Sequence, residues 1–135
     1  MRFIDANIFI RHLTGDDPVK AQACFDLFQL AERGEVSLTT SESVVAEVVY
    51  VLASKQLYNL TRPEIRRLLY PLLSLPGLKL AARKLYLRAL DIYATFPIDF
   101  GDALVAAHME RQDLTELYSY DRDFDPLAGM KRLEP

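Results

Sequence analysis

A chain of 135 residues, 50% hydrophobic and 26% charged with 5 Gly and 7 Pro, has the composition of an ordinary globular protein and enough apolar matter for one domain, residues 1–135, with a real core. Its net charge of −3 excludes grip on nucleic acid by bulk electrostatics, so a polyanionic substrate would need a local basic patch or metal ions. No apolar run reaches the ~18 residues of a membrane span, no basic-then-apolar leader opens the chain, and the single cysteine, Cys24, cannot close an internal disulfide; a soluble cytoplasmic protein is expected.

Met1 to Ile4 reads as a short buried strand. Asp17-Pro18 opens a helix, with Asp as N-cap and Pro in the first position. Val19 to Arg33 then carries an apolar stripe through Ala21, Cys24, Phe25, Phe28 and Ala31 until Gly34 stops it, which makes Cys24 a packed thiol. Val36 to Thr39 is a second strand. Thr39 with Glu42, and Thr61 with Glu64, have capping-box spacing and each opens a helix. After the Pro76-Gly77 turn, Leu78 to Leu80 is a candidate third strand, followed by a helix over Ala81 to Ala94, Pro97, and a helix over Phe100 to Arg111. Leu117 to Tyr120 and Lys131 to Leu133 complete the strands. Strands joined by helical connections predict a parallel sheet covered on both faces.

In open parallel sheets ligands collect beyond the carboxyl ends of the strands. Asp5 follows the first strand and Asp121 follows Tyr118-Ser119-Tyr120, so both are expected at one edge. Asp5 stands among Phe3, Ile4, Ala6, Ile8 and Phe9, and a carboxylate desolvated there would need a compensating charge or donors. Glu47 lies inside "VVAEVVYVL", residues 44–52, which reads as a helix apolar all round and therefore as a buried acid. Asp99 is accounted for as the N-cap of the helix that follows, and Asp102, its third residue, suits the cap and the helix dipole as well as a site. In "SYDRDFDPL", Asp121 is nearest the strand end, Asp123 is the next candidate, and Asp125 before Pro126 is turn chemistry. Glu42 is taken by its cap, His108 is packed or surface, and His12 has no assignment.

Carboxylates converging without cationic partners repel one another, and divalent cations remove the conflict. Oxygen-only ligands select Mg²⁺ or Mn²⁺ over zinc, and such ions bring positive charge to a phosphodiester. They activate water for in-line attack at phosphorus, so the chemistry is metal-assisted phosphodiester hydrolysis. Asn7 could place water or an acid ligand, and Ser119 could donate to Asp121.

The stretches "FIDANIFIRHL", "SESVVAEVVYVL", "DFGDALVAAH" and "YSYDRDFDPL", in this order across nearly the whole chain, resemble a PIN-domain ribonuclease of the VapC kind, the toxin half of type II toxin–antitoxin modules. The resemblance implies a three-layer α/β/α sandwich on a central parallel sheet of four to five strands. It implies an endoribonuclease using Mg²⁺ or Mn²⁺ on an RNA substrate, a homodimer, and a VapB-like antitoxin partner that blocks the active site. The family's acidic set falls on Asp5, Glu47, Asp102 and Asp121, with Asp123 as an occasional fifth. Glu116 departs from the family pattern, where an apolar or small residue is more usual. Arg62, Arg66 and Arg67 form one basic group and Arg83, Lys84 and Arg88 another, each equally able to be a solvated face, a partner contact or a guide for RNA.

Two other readings remain at this level. A phosphatase of the haloacid-dehalogenase type would use Asp5 as nucleophile, but normally has a second Asp where this chain has Asn7. A non-catalytic binding module would use the acids to hold an arginine from a partner.

Overall fold

The computed structural model describes residues 1–135. In chain order the elements are β1 (Arg2–Phe3), α1 (Ala6–Thr14), α2 (Pro18–Glu32), β2 (Leu38–Thr39), α3 (Glu42–Ala53), α4 (Arg62–Leu73), α5 (Arg83–Thr95), α6 (Phe100–Arg111), β3 (Glu116–Tyr118), a 3-10 turn (Arg122–Phe124) and β4 (Lys131–Leu133).

Local chemistry explains most boundaries. Asp17 caps α2 by accepting the Lys20 N–H at 3.1 Å, with Pro18 in the first turn. Thr61 and Glu64 form the reciprocal capping box of α4, at 3.3 and 3.2 Å. Helix α6 starts at Phe100, behind Asp99, as its sequence predicts. The box expected at Thr39 and Glu42 does not form. Thr39 belongs to β2, where its hydroxyl donates to the Lys79 carbonyl at 2.8 Å, and Ser41 caps α3 by accepting the Val44 N–H at 3.3 Å. Helix α1 is an element that the sequence reading did not identify. Its signals are the Asp5 cap, a buried face through Ala6 and Phe9 interleaved with the polar Asn7, Arg11 and His12, and Gly15 at φ 68°, but Asp5 reads equally as a site acid after a strand.

Every strand pairing is parallel, as strand–helix alternation requires. Arg2 pairs with Leu38 and Phe3 with Thr39, while Glu116, Leu117 and Tyr118 pair with Lys131, Arg132 and Leu133. Leu78 adds one parallel bridge to Leu38, through Leu38 N–H to Gly77 O and Lys79 N–H to Leu38 O, both 2.7 Å. The ladders therefore make two separate two-stranded pairs and not one sheet of four to five strands, and Leu78 to Leu80 is not a strand. The caps account for the shortness of the β1–β2 ladder. Asp5 and Ser41 start helices two residues after β1 and β2 end, which leaves too little extended chain for long ladders.

The core is one cluster of 29 buried residues running from Ile4 to Leu127, with Phe9, Leu38, Leu52, Leu69 and Leu90 among those fully shut from solvent. Helix α5 packs between α4 and α6, and α1 packs against α2 and α3. Gly77 sits where the turn before Leu78 crosses the end of α2. A Cβ there would lie 2.5 Å from the carbonyl oxygens of both Ala31 and Val36, so the crossing admits only glycine. No helix is long and apolar enough to cross a membrane.

Candidate metal centre

The N-terminus of α6 is held from two sides. Asp99 Oδ1 accepts the Asp102 N–H at 2.8 Å, which fixes the first turn. Behind it, Arg62 Nη1 donates to the carbonyls of Tyr93 at 3.1 Å, Phe96 at 3.0 Å and Ile98, with its guanidinium 4.4 Å from the centre of the Tyr93 ring. Arg62 is therefore a clamp on the α5–α6 connection, held through Nη1. Three carbonyls brought to one point by the tertiary fold leave no trace in the sequence, so this role could not be foreseen there.

Asp121 and Asp123 belong to the turn after β3. Asp121 donates its N–H to Ser119 Oγ at 3.0 Å and accepts the Asp123 N–H on Oδ1 at 2.8 Å. Ser119 thus orients the Asp121 backbone, whereas a donor to its carboxylate was expected. Because β3 ends at Tyr118 and not Tyr120, Asp121 stands three residues beyond the strand instead of directly after it. Arg132 on β4 fastens the turn, donating to Ser119 O at 3.0 Å and Asp125 Oδ1 at 2.8 Å, with its side chain only 12% exposed.

Carboxylate oxygens of Asp102, Asp121 and Asp123 lie within 4.8 Å of one another. Asp102 is half-buried, and burial, followed by the fields of Asp99, Asp121 and Asp123, pushes its pKa up to about 6. Three carboxylates crowded together are the donor chemistry of a hard divalent cation, and these residues fit one.

Asp5 and Glu47 stand outside that group of three and together line a neighbouring cleft of about 300 Å³ with Asn7, Arg11 and Tyr58. Neither is buried, contrary to expectation. Helix α3 turns Val45, Val48, Val49 and Leu52 to the core, and Glu47 falls on the remaining face, which opens to the cleft. Asp5 needs no charge partner because it is solvated and accepts the Asn7 N–H at 3.0 Å as the cap of α1. Glu47 also lines a second cleft, of about 530 Å³, with Asp99. The acids therefore run as a chain of neighbours from Asp5 through Glu47 and Asp99 to Asp102, Asp121 and Asp123. None of these six forms an ion pair with Arg, Lys or His.

Several other charged side chains find partners away from the acids. Glu42, freed from a cap, meets His108 Nε2 at 2.8 Å. Arg66 pairs with Asp91 at 2.7 Å, Arg88 with Glu110 at 2.7 Å, and Arg83 donates to the carbonyls of Leu73, Leu75 and Leu78. Cys24 is buried, and burial raises its thiol pKa. His12 packs against Phe25 and Phe28.

A family model described as PIN domain matches residues 2–130. The chain belongs to the PIN domain family. PIN domains are generally metal-dependent nucleases, hydrolases of phosphodiester bonds, and the clustered acids described above are compatible with a divalent ion. Neither the phosphatase nor the non-catalytic reading is favoured by this PIN match. No curated protein matches the chain.

Proposed function

We propose that the chain is a single PIN domain over residues 1–135 that acts as a metal-dependent endoribonuclease, the VapC-like toxin of a type II toxin–antitoxin pair. The observation that carries the nuclease reading is the meeting of Asp102, Asp121 and Asp123 within 4.8 Å with no basic side chain closing on them. Asp5, Glu47, Asp102 and Asp121 are the residues assigned to hold the ion and serve catalysis, with Asp123 as a further ligand. Mg²⁺ or Mn²⁺, when bound, supplies the positive charge that an acidic protein lacks and makes water a better nucleophile at phosphorus. The chain's own residues supply placement. Asp99 and Arg62 fix the turn bearing Asp102, and Ser119 and Arg132 fix the turn bearing Asp121.

The toxin role rests on the four-motif resemblance, and with it go a VapB-like antitoxin partner, a homodimer and a cytoplasmic location. Incubating the purified protein with single-stranded RNA in Mg²⁺, Mn²⁺ or EDTA, and sequencing the ends produced, tests the activity. Internal cuts that need either metal are expected, and intact RNA in both metals overturns the reading. A small DNA-binding protein encoded beside this one, co-purifying with it and suppressing the cuts, is the expected result for the toxin role; full activity in its presence overturns that role.

A further inference from the structure

The cleft of about 530 Å³ beside the acids has two features that the fold does not require. Tyr50, on α3 one turn beyond Glu47, lines it with 76% of its surface exposed. Gly101, in the first turn of α6, lines it with bare backbone. A Cβ on Gly101 would meet nothing nearer than Asp99 Oδ1 at 3.4 Å, so neither packing nor a left-handed φ calls for glycine, although glycine disfavours a helix. Alanine would add a methyl to a residue of the cleft lining.

We propose that this cleft receives one unpaired base of a single-stranded RNA, stacked on Tyr50 and lying over the backbone at Gly101. The proposal rests on the nuclease reading above and adds a substrate subsite to it. The volume suits a small planar ligand, and the walls combine Tyr93 and Phe100 with the carboxylates of Glu47 and Asp99. Those carboxylates accept hydrogen bonds from the amino and imino edge of a base, which an apolar peptide side chain cannot offer. A phosphate is the wrong occupant, because the one cation in the wall, Arg62, is outnumbered there by the carboxylates of Glu47 and Asp99. Continuity sets the path of the strand. Glu47 is shared with the Asp5 cleft and Asp99 is bonded to Asp102, so a base seated here leaves its adjoining phosphate beside the acids.

The test, in Mn²⁺ and on an Asp5→Asn background so that the strand stays whole, compares the otherwise wild-type protein with Tyr50→Ala, Tyr50→Phe and Gly101→Ala for binding of labelled single-stranded oligoribonucleotides of about ten residues, with one abasic residue moved along the strand. Tyr50→Ala is expected to weaken binding about tenfold, with Tyr50→Phe close to wild type, since aromatic stacking tolerates loss of the hydroxyl. Gly101→Ala should also weaken binding while leaving the melting temperature equal or higher. An abasic residue at one position should cost the wild type the same factor and Tyr50→Ala nothing more. Equal affinity of all variants, an unchanged abasic penalty in Tyr50→Ala, or an effect of Tyr50→Ala only on self-association in sedimentation overturns the subsite. Failure of the underlying reading is separate: wild type that cuts RNA with metal but shows no Tyr50 effect loses only the subsite, whereas wild type that shows the full stacking pattern yet never cuts RNA loses the nuclease assignment.

Discussion

Asp99 accepts the Asp102 backbone N–H at 2.8 Å while its charge opposes ionisation of the Asp102 side chain, so one residue both places the acid and holds it back. Asparagine caps a helix about as well as aspartate but carries no charge. Asp99→Asn should leave thermal stability within about 0.5 kcal/mol and move the Asp102 titration, followed by NMR of the carboxyl carbon, below its wild-type position near 6. An unmoved titration would show that burial and the Asp121 and Asp123 carboxylates set it without Asp99.

The same acid makes the metal-free protein sensitive to pH. With a folded pKa of about 6 against an ordinary 3.8, Asp102 is protonated more readily in the folded than the unfolded chain. Its favourable contribution is complete below pH 3.8, declines as pH rises towards 6, and is gone above that. Urea unfolding in EDTA should therefore show wild type losing stability relative to Asp102→Asn across that window, with a constant difference at higher pH. Parallel curves at all pH values would remove the shift.

Asp5 separates capping from chemistry. It caps α1, and asparagine can do the same, so Asp5→Asn should abolish RNA cleavage with little change in stability. Asp5→Ala should abolish cleavage and also cost about 1 kcal/mol of stability from the lost cap. Cleavage by Asp5→Asn at the wild-type rate would take Asp5 out of the catalytic set.

Millimolar Mn²⁺ should raise the melting temperature by binding only the folded state, by an amount equivalent to about 2.7 kcal/mol at a hundredfold excess over Kd. Asp102→Asn and Asp121→Asn should each lose most of that rise while remaining folded. A flat melting temperature across the Mn²⁺ range would leave the Asp102, Asp121 and Asp123 group without a ligand.

Gly77→Ala tests the crossing of α2 by the turn that precedes Leu78. The new methyl would meet two backbone oxygens at 2.5 Å, and backbone cannot swing aside as a side chain can. A loss of about 3 kcal/mol is expected by denaturant titration, with Gly101→Ala as the control that should lose nothing.

Short-range chemistry was readable from the sequence because it is written within one helical turn. Asp17-Pro18, the Thr61 and Glu64 box, and Asp99 before Phe100 each name a helix start, and each is where the structure starts one. The alternation of strands and helices also dictated that pairing would be parallel. Helix α1 was hidden because Asp5, its cap, reads equally as an acid at a strand end, and Thr39 was given a cap that Ser41, two residues nearer the helix, performs.

Residue type and order by themselves determined the family and the acids worth watching, since a cap or a charge is a property of a few neighbouring atoms. Only tertiary structure decided which acids meet. Asp102 comes within 4.8 Å of Asp121 and Asp123 because Arg62 gathers three carbonyls before α6 and Arg132 ties down the turn after β3. The exposure of Glu47 was decided the same way, by which face of α3 the other helices cover. Such contacts join residues far apart in the chain, and their free energy depends on packing and desolvation that no local pattern encodes.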